Sequence, residues 1–461
     1  MKSICVLVLS ICCGLLVSVD AKQPNVILIV ADDLGYGGLH CYGNEWLETP
    51  NIDQLCADGM QFTNGYSSHP TCQPSRIALL SGQYAPRTGG YRVKDHHRGQ
   101  EDVIRYEVPK LTGLGFDKVS LAEAFQAGGY KTAMYGKWHA GNYKKDAHPR
   151  YHGFEIAYEC NSHYDTRRSD PEVELPEGMD FAEYFTGKAI DFMGSSVAEE
   201  QPFFLYMPYY LVHAPLETRS DYIEYFKSKL EGVEFVGKKA KDVPVIAAMT
   251  KHLDDCVGRL LQSLKSLGIA EETIVVFTSD NGSYNEAFVG GLRETKGSVY
   301  EGGLKVPYLF KWSGEIEAET ISNERITHID LYPTLLELSG VDRPNGYTLD
   351  GLSIAQYLKG NSDVLADRSI VCYYPKYAQF NTRTKKWKNS WRNVIFRGDY
   401  KLIEHVEYDE FELYNITDDP KEANELSRSY PEKLERMQVL LKEWKQELSV
   451  SELRVNIDYK L

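Results

Sequence analysis

The sequence predicts an α/β fold, a large mixed sheet covered by helices on both faces, followed by a smaller α+β unit. Three observations predict it. Apolar runs at 26–30, 131–135, 203–207 and 273–277 have the length and β-branched or aromatic content of strands buried on both faces. Between the last two, residues 245–267 carry Met249, Leu253, Cys256, Leu260, Leu264 and Leu267 at helical spacing, and Gly268 stops the pattern. Residues 120–127 read as another short helix, so strands and helices alternate, as a sheet covered by helices requires. The composition then changes near residue 360. Residues 368–402 mix aromatic, basic and β-branched side chains, and no long helix is expected before 431–448. The expected second unit is an antiparallel sheet closed by that helix. The predicted division is a leader at 1–21, a main unit at 22–360 and a C-terminal unit at 361–461.

The composition is that of a globular protein. Of 461 residues, 43% are hydrophobic and 25% charged, which argues against long disorder and leaves room for one large core plus a smaller unit. The formal net charge of −15 disfavours nucleic acid or an anionic membrane as partner. It does not exclude an anionic small group held by a local cluster of cations.

Lys2, the mostly apolar stretch 4–19 and the small residues Val19-Asp20-Ala21 read as an export signal. Ser10, Gly14 and Ser18 interrupt that stretch, which is short for a bilayer span of about 20 residues. No later stretch is apolar enough to span. The expected location is therefore secreted or periplasmic, without stable membrane insertion. Nine cysteines occur, at 5, 12, 13, 41, 56, 72, 160, 256 and 372, and no spacing matches a zinc site or a disulfide scaffold.

Two pairs of oxygen-bearing side chains stand just past predicted strands: Asp32 and Asp33 after 26–30, Asp280 and Asn281 after 273–277. Ligands of open α/β sheets bind at that edge. Four hard oxygen donors from two strand ends suit Ca²⁺ or Mg²⁺. Asp-Asn-Gly is also a common turn, so each pair alone has an ordinary structural reading. A third segment, Cys72-Gln73-Pro74-Ser75-Arg76, precedes the apolar 77–80 and Ser81-Gly82. A helix starting there aims its positive end at Cys72 and would stabilise an anion.

Cys-x-Pro-Ser-Arg followed by a helix ending in Ser-Gly resembles the signature of the type I, formylglycine-dependent sulfatases of the alkaline phosphatase superfamily. The resemblance runs from Pro24 to about Leu426 and is nearest to secreted bacterial carbohydrate sulfatases. It implies that a maturation enzyme oxidises Cys72 to formylglycine, whose hydrate is the nucleophile. It implies a metal, usually Ca²⁺ and sometimes Mg²⁺, on Asp32, Asp33, Asp280, Asn281 and the modified Cys72. Gly136-Lys137-Trp138-His139 matches a motif whose Lys bridges nucleophile and sulfate and whose His contacts the hydrate. Val212-His213-Ala214-Pro215 matches the segment with a sulfate-binding, proton-donating His. Arg293, Lys296-Gly297 and Tyr300-Glu301-Gly302-Gly303 match the stretch whose Lys binds sulfate. The implied catalytic set is Cys72, Arg76, Lys137, His139, His213 and Lys296.

These residue types make chemical sense together. A sulfate ester needs its free oxygens neutralised, its leaving oxygen protonated and a nucleophile in line. Lys137, Lys296 and a divalent cation supply charge, and His213 is suited to general acid work. His139 is the candidate base for the collapse of the sulfated hydrate.

Polar, aromatic stretches around His96, His97, Arg98 and Arg105, around His152, His163, Tyr164, Arg167 and Arg168, and around Lys376, Arg383, Lys385, Lys386, Trp387, Lys388 and Trp391 suit a sulfated carbohydrate. Two alternatives remain within the superfamily, an aryl sulfatase and a phosphoester or phosphonate hydrolase. A third, of another class, is a sulfated-glycan-binding protein with unconverted Cys72.

Overall fold

A computed structural model describes residues 22–93, 103–107, 113–141, 147–361, 365, 368–450, 453–457 and 459–460. The expected leader at 1–21 and His96, His97 and Arg98 lie outside the described residues. The main sheet has nine strands: β1 (Asn25–Ala31), β2 (Met60–Tyr66), β3 (Lys131–Gly136), β4 (Ile156–Cys160), β5 (Ser169–Asp170), β6 (Phe203–Pro208), β7 (Thr273–Ser279), β8 (Tyr308–Lys311) and β9 (Thr320–Thr327). Their order is β5-β4-β3-β6-β1-β7-β8-β2-β9. Strands β4, β3, β6, β1 and β7 run parallel, whereas β5 and β8 are antiparallel to their neighbours.

The central strands are buried on both sides, and their side chains alternate between two cores. Ile27 and Ile29 face a core with Leu205, Val275 and Phe277, covered by the helices Phe181–Ala198 and Val243–Ser266. Val26, Leu28 and Val30 face the other, with Phe204, Tyr206 and Val276 and the helices Cys72–Ser81, Leu121–Ala127 and Leu331–Leu338. The Leu121–Ala127 helix starts with a capping box: Ser120 accepts from Glu123 N–H, and Glu123 accepts from Ser120 N–H. Helices therefore cover both faces, as the apolar runs predict. Among the strands not evident in the sequence, β2 and β9 carry polar residues and β8 has four residues.

The C-terminal part contains β10 (Ser369–Tyr374), β11 (Ala378–Asn381), β12 (Lys386–Asn389), β13 (Arg392–Arg397), β14 (Tyr400–His405) and β15 (Glu410–Asn415). Strands β10-β13-β14-β15 form an antiparallel sheet, and β11 and β12 form a separate two-stranded ribbon. The helix Pro431–Glu447 buries Met437, Leu441 and Trp444 with Ile395, Leu402 and Leu413. The opposite face packs Ile370, Cys372, Val394 and Ile403 against Tyr66, Val299, Tyr300 and Leu304.

A buried charge network crosses this second contact. Lys401 Nζ lies 2.9 Å from Glu301 Oε1 and 2.7 Å from Glu422 Oε1. Tyr66 donates its hydroxyl to Glu301 Oε2 at 2.7 Å, and Glu301 N–H donates to Glu422 Oε2 at 2.8 Å. Lys401, Glu301 and Glu422 thus neutralise one another where burial would make a lone charge costly.

Candidate active site

The carboxyl ends of β3, β6, β1 and β7 lie side by side, and the chain leaves each through a candidate residue. Lys137 follows β3, His213 lies beyond β6, Asp32 and Asp33 follow β1, and Asp280 and Asn281 follow β7. Backbone bonds extend the sheet past the strand ends. Asp32 N–H donates to Leu211 O at 2.8 Å, Asp280 N–H to Ala31 O at 3.0 Å and Lys137 N–H to Pro208 O at 2.7 Å. Asp33 then turns through φ 64°, which carries its side chain back over the sheet end.

The helix Cys72–Ser81 is buried along its whole length, with Cys72 in its first turn. Thr71, the residue before it, is fixed through its N–H (3.2 Å) and hydroxyl (3.0 Å) to His69 Nδ1. Within the helix, Arg76 donates from Nε to Asp280 Oδ2 at 2.8 Å, places Nη2 at 2.7 Å from the same oxygen, and donates from Nη1 to Lys137 O at 2.8 Å. Lys137 Nζ pairs with Asp32 Oδ2. Lys296 Nζ is 2.5 Å from Asp33 Oδ1 and 3.8 Å from Cys72 Sγ. Asn281 Nδ2 donates to Asp33 Oδ1 at 2.7 Å, and Asp33 N–H to Asp280 Oδ1 at 3.2 Å. His213 Nε2 lies 3.8 Å from Asp33 Oδ2.

Three carboxylates and three fixed cations thus share one buried place. Burial, together with the neighbouring Asp280, pushes the Asp32 carboxyl up to about 6. Asp280 is buried as well, but Arg76, Lys137 and Lys296 outweigh that and hold it below the usual carboxylate range. Burial opposes charge on Lys137 and Lys296, yet Asp32 and Asp33 respectively raise both above the ordinary lysine value. His139 is pushed well below the usual imidazole range by burial and by Lys137 and Arg76, so its ring is neutral.

The cluster also fits a hard cation. Asp32 Oδ1 and Asn281 Oδ1 are buried acceptors without a hydrogen-bond partner, and Asp32 and Asp280 bring carboxylate oxygens within 4.8 Å of each other and of Cys72 Sγ. Buried acceptors left free beside further oxygen donors are what a Ca²⁺ or Mg²⁺ ligand set requires.

Hydrogen bonding fixes the tautomer of His213. Its Nδ1 is 2.6 Å from Ala214 O, and a carbonyl only accepts, so Nδ1 carries the proton and Nε2 faces the acids. His163 donates from Nε2 to the His213 carbonyl at 2.8 Å. The Tyr210 ring lies beneath Lys137 Nζ at 5.2 Å and 5.1 Å from the His213 ring.

Direct contacts link nine of the ten sequence-predicted site residues, and the tenth, His139, lies among the same charges with Nδ1 unpartnered. Arg293 turns away. It donates to Tyr414 OH and Glu422 O and stacks over Tyr300, bracing the C-terminal sheet. Arg105 pairs with Asp409 at 2.9 Å, Arg167 with Asp165 at 2.9 Å.

Sequence reasoning misses Tyr210 and His328. Ser75 Oγ is 2.7 Å from His328 Nδ1, and His328 Nε2 is 3.0 Å from Ser279 O, so the imidazole ties the Cys72 helix to the end of β7. Burial holds His328 down to about 4, so it is neutral. Nε2–H then donates to the carbonyl, and Ser75 must donate to Nδ1. A lone His before an Asp-Leu-Tyr-Pro helix gives no sequence signal for this. Tyr210 had a weak one, its place between a strand end and His213.

A buried helix end bearing Cys72, fixed cations, a group of oxygen donors that could hold a hard cation and an imidazole with a free Nε2 suit a hydrolase for esters of a tetrahedral oxyanion. Comparison with known proteins narrows the class. The Sulfatase family profile matches residues 24–341, and that for the N-sulphoglucosamine sulphohydrolase C-terminal region matches 295–451. Mouse (Mus musculus) N-acetylgalactosamine-6-sulfatase is 29% identical over 96% of this chain and 90% of its own. Human (Homo sapiens) arylsulfatase A is 33% identical over 83% of this chain and 77% of its own. The crystal structure of Ps i-CgsB in complex with k-i-k-neocarrahexaose superposes with a TM-score of 0.76 at 26% identity, over 92% of this chain and 93% of that one. The chain belongs to the sulfatase family and is a sulfuric ester hydrolase.

Proposed function

We propose that this enzyme removes sulfate from a sulfated oligo- or polysaccharide, with Cys72 converted to formylglycine and a divalent cation, Ca²⁺ in preference to Mg²⁺, on Asp32, Asp33, Asp280, Asn281 and residue 72. The observation that carries the reading is the free Nε2 of His213, held over Asp33 while Nδ1 is committed to Ala214. A sugar alkoxide is a poor leaving group and needs a proton. Similarity to an N-acetylgalactosamine-6-sulfatase and to a structure holding a carrageenan-type hexaose supports a sugar substrate.

When present, the cation and the aldehyde hydrate supply a metal-activated oxygen nucleophile near neutral pH. The remaining roles belong to the chain. Lys137 and Lys296 neutralise the sulfate oxygens from two sides, and their fixed pairing with Asp32 and Asp33 means no reorganisation as charge develops. Arg76 holds Asp280 and the Lys137 carbonyl in register with the Cys72 helix. The general acid is the doubly protonated ring of His213: Nδ1–H stays on Ala214 O, and the second proton, on Nε2, passes to the leaving oxygen as the S–O bond breaks and leaves the neutral Nδ1–H tautomer. Neutral His139, with Nδ1 free, takes a proton at residue 72. The division near residue 360, the cleaved leader, export to an extracellular or periplasmic space, and a formylglycine-generating or other sulfatase-maturating partner complete the reading.

A panel of defined sulfated oligosaccharides beside matched aryl sulfate and aryl phosphate tests it. Sulfated sugars should be turned over and the phosphate spared. Preference for the aryl sulfate alone would favour the arylsulfatase reading, which 33% identity to arylsulfatase A keeps open. Mass measurement of the peptide containing residue 72 should find the aldehyde. A Cys72 thiol that is fully alkylated, and so unconverted, in an active sample would refute the nucleophile assignment.

A further inference from the structure

The chain has 51 Lys and Arg against 66 Asp and Glu, yet between Asp367 and Asp399 it has eight cations and no acid. Four of these cations, Arg383, Lys385, Lys386 and Lys388, are exposed on the β11–β12 ribbon and the turn joining its strands. Among the described residues none of the four has an ion-pair partner. Asp409, next in sequence to the Tyr408 whose hydroxyl accepts from Trp387 N–H, is already paired with Arg105. The ribbon is anchored on its other face. Phe380 pairs with Trp387 across the two strands, their rings 5.0 Å apart, and Trp387 is buried against Tyr377. Lys386 and Lys388 flank Trp387 and leave the ribbon on its exposed face, Lys386 with its ammonium 5.8 Å from the Tyr408 ring. Like charges crowded on one short ribbon repel, which costs stability. An anionic ligand relieves that repulsion.

The ribbon starts at the active site. Tyr374, at the end of β10, donates its hydroxyl to the Gly297 carbonyl at 3.0 Å, next to Lys296. Its ring meets that of His69, which holds Thr71 ahead of Cys72. From Tyr374 to Arg383 is nine residues, at most about 30 Å of extended chain. A ligand with one sulfate at Lys296 and others along its length can therefore reach the ribbon without leaving the surface.

We propose that the β11–β12 ribbon is a binding subsite for the distal sulfate groups of a polyanionic glycan chain, so that the enzyme favours polymeric over monomeric substrate. The inference rests on the carbohydrate reading above and adds where the rest of the chain lies. A small ester fills only the Lys137–Lys296 cradle and gains nothing from the ribbon. The ribbon's contacts are exposed and screened by salt, so its contribution fades as ionic strength rises.

The test replaces Arg383, Lys385, Lys386 and Lys388 together by Gln. All four are exposed, and their one described side-chain contact is that of Lys386 with the Tyr408 ring, so Tm should be nearly unchanged by the substitution. For a sulfated hexasaccharide at low salt, KM should rise about tenfold with kcat kept, as expected for four exposed ion pairs. KM for the matching monosaccharide sulfate should stay within about twofold. At high salt, wild type and variant should converge. A binding arm uses Cys72→Ala with and without the four changes on immobilised sulfated dextran. The unsubstituted ribbon should elute at higher salt, and this arm reads the ribbon even if no glycan is turned over. If wild type turns over no sulfated sugar but the binding arm holds, the substrate reading fails and the ribbon site stands. Equal KM changes for both substrates, or unchanged elution, overturn the ribbon site. So does loss of binding to phosphatidylglycerol vesicles with unchanged glycan behaviour, which would make the ribbon a lipid contact.

Discussion

Arg76 sets two guanidinium nitrogens on a single oxygen of Asp280, Nε at 2.8 Å and Nη2 at 2.7 Å, and both side chains are buried. The other oxygen of Asp280 stays available to Asp33 N–H and to a cation. One pair thus joins the helix bearing Cys72 to the strand end bearing Asp280 and Asn281.

Removing one partner of a buried pair strands the other charge. Arg76→Ala should therefore cost about 3–5 kcal/mol of stability and abolish turnover. Arg76→Lys keeps the charge but not the fork, and should fold better than Ala while remaining much slower than wild type. Urea unfolding with parallel kinetics on each variant checks this. A wild-type midpoint in Arg76→Ala would mean the pair is dispensable.

His213→Ala should separate substrates by leaving group. General acid catalysis is typically worth about 10²–10⁴-fold, so kcat/KM for a sulfated sugar should fall by that order. An activated aryl sulfate, whose phenolate leaves without a proton, should lose far less. Equal losses would make His213 a sulfate contact and move the acid role to Lys296, in which case Lys296→Ala should carry the sugar-specific loss.

Chelation should act on stability as well as rate. A ligand bound to the folded state at 100 times its Kd contributes about 2.7 kcal/mol. EGTA should lower Tm and activity together, and added Ca²⁺ should restore both. Asn281→Ala removes a buried ligand oxygen and should raise the Ca²⁺ needed for half-recovery. Full activity in a sample that elemental analysis finds free of divalent metal would exclude the proposed cation.

A second buried cluster gives a pH signature away from the active site. His252 lies 3.5 Å from Asp180 and 3.6 Å from Glu183, and is 2.7 Å from Thr218 Oγ1. Burial opposes its charge, but Cys256, Glu183 and Asp180 outweigh burial and push it up to about 10. A folded value above the unfolded one, about 6.5, gives stability that is fully present below that pH and lost as pH rises towards 10. The Tm difference between wild type and His252→Gln should shrink across that window. A constant difference would mean His252 is neutral.

The parallel heart of the sheet was legible because β1, β6 and β7 are apolar on both faces and show as nearly uninterrupted runs, and β3 follows a short helix with Ala133, Met134 and Tyr135. The far edge was not. β2 includes Gln61, Thr63 and Asn64, β9 is largely polar, and tertiary pairing rather than local preference decides both. The helix Phe181–Ala198 was missed because Gly187, Gly194 and paired serines blur its apolar stripe. Site residues were readable where a motif or strand end marks them, as with Asp32, Asp280 and Lys137. His328 was not, because its role exists only once Ser75 and Ser279 meet across the fold.

The buried Lys401 knot bears on how such enzymes can be recombined. Glu301 stands five residues after Lys296, while Lys401 and Glu422 come from the C-terminal sheet and the loop after it. The cradle lysine is thus anchored by charges from a part of the chain that follows it by more than a hundred residues. A chimera cut near residue 360 and fitted with a relative's tail would inherit an unmatched carboxylate beneath its own sulfate cradle. Grafts that keep Glu301, Lys401 and Glu422 from one parent avoid this mismatch, so a productive exchange replaces only the exposed ribbon and its turn and returns to the first parent before Lys401.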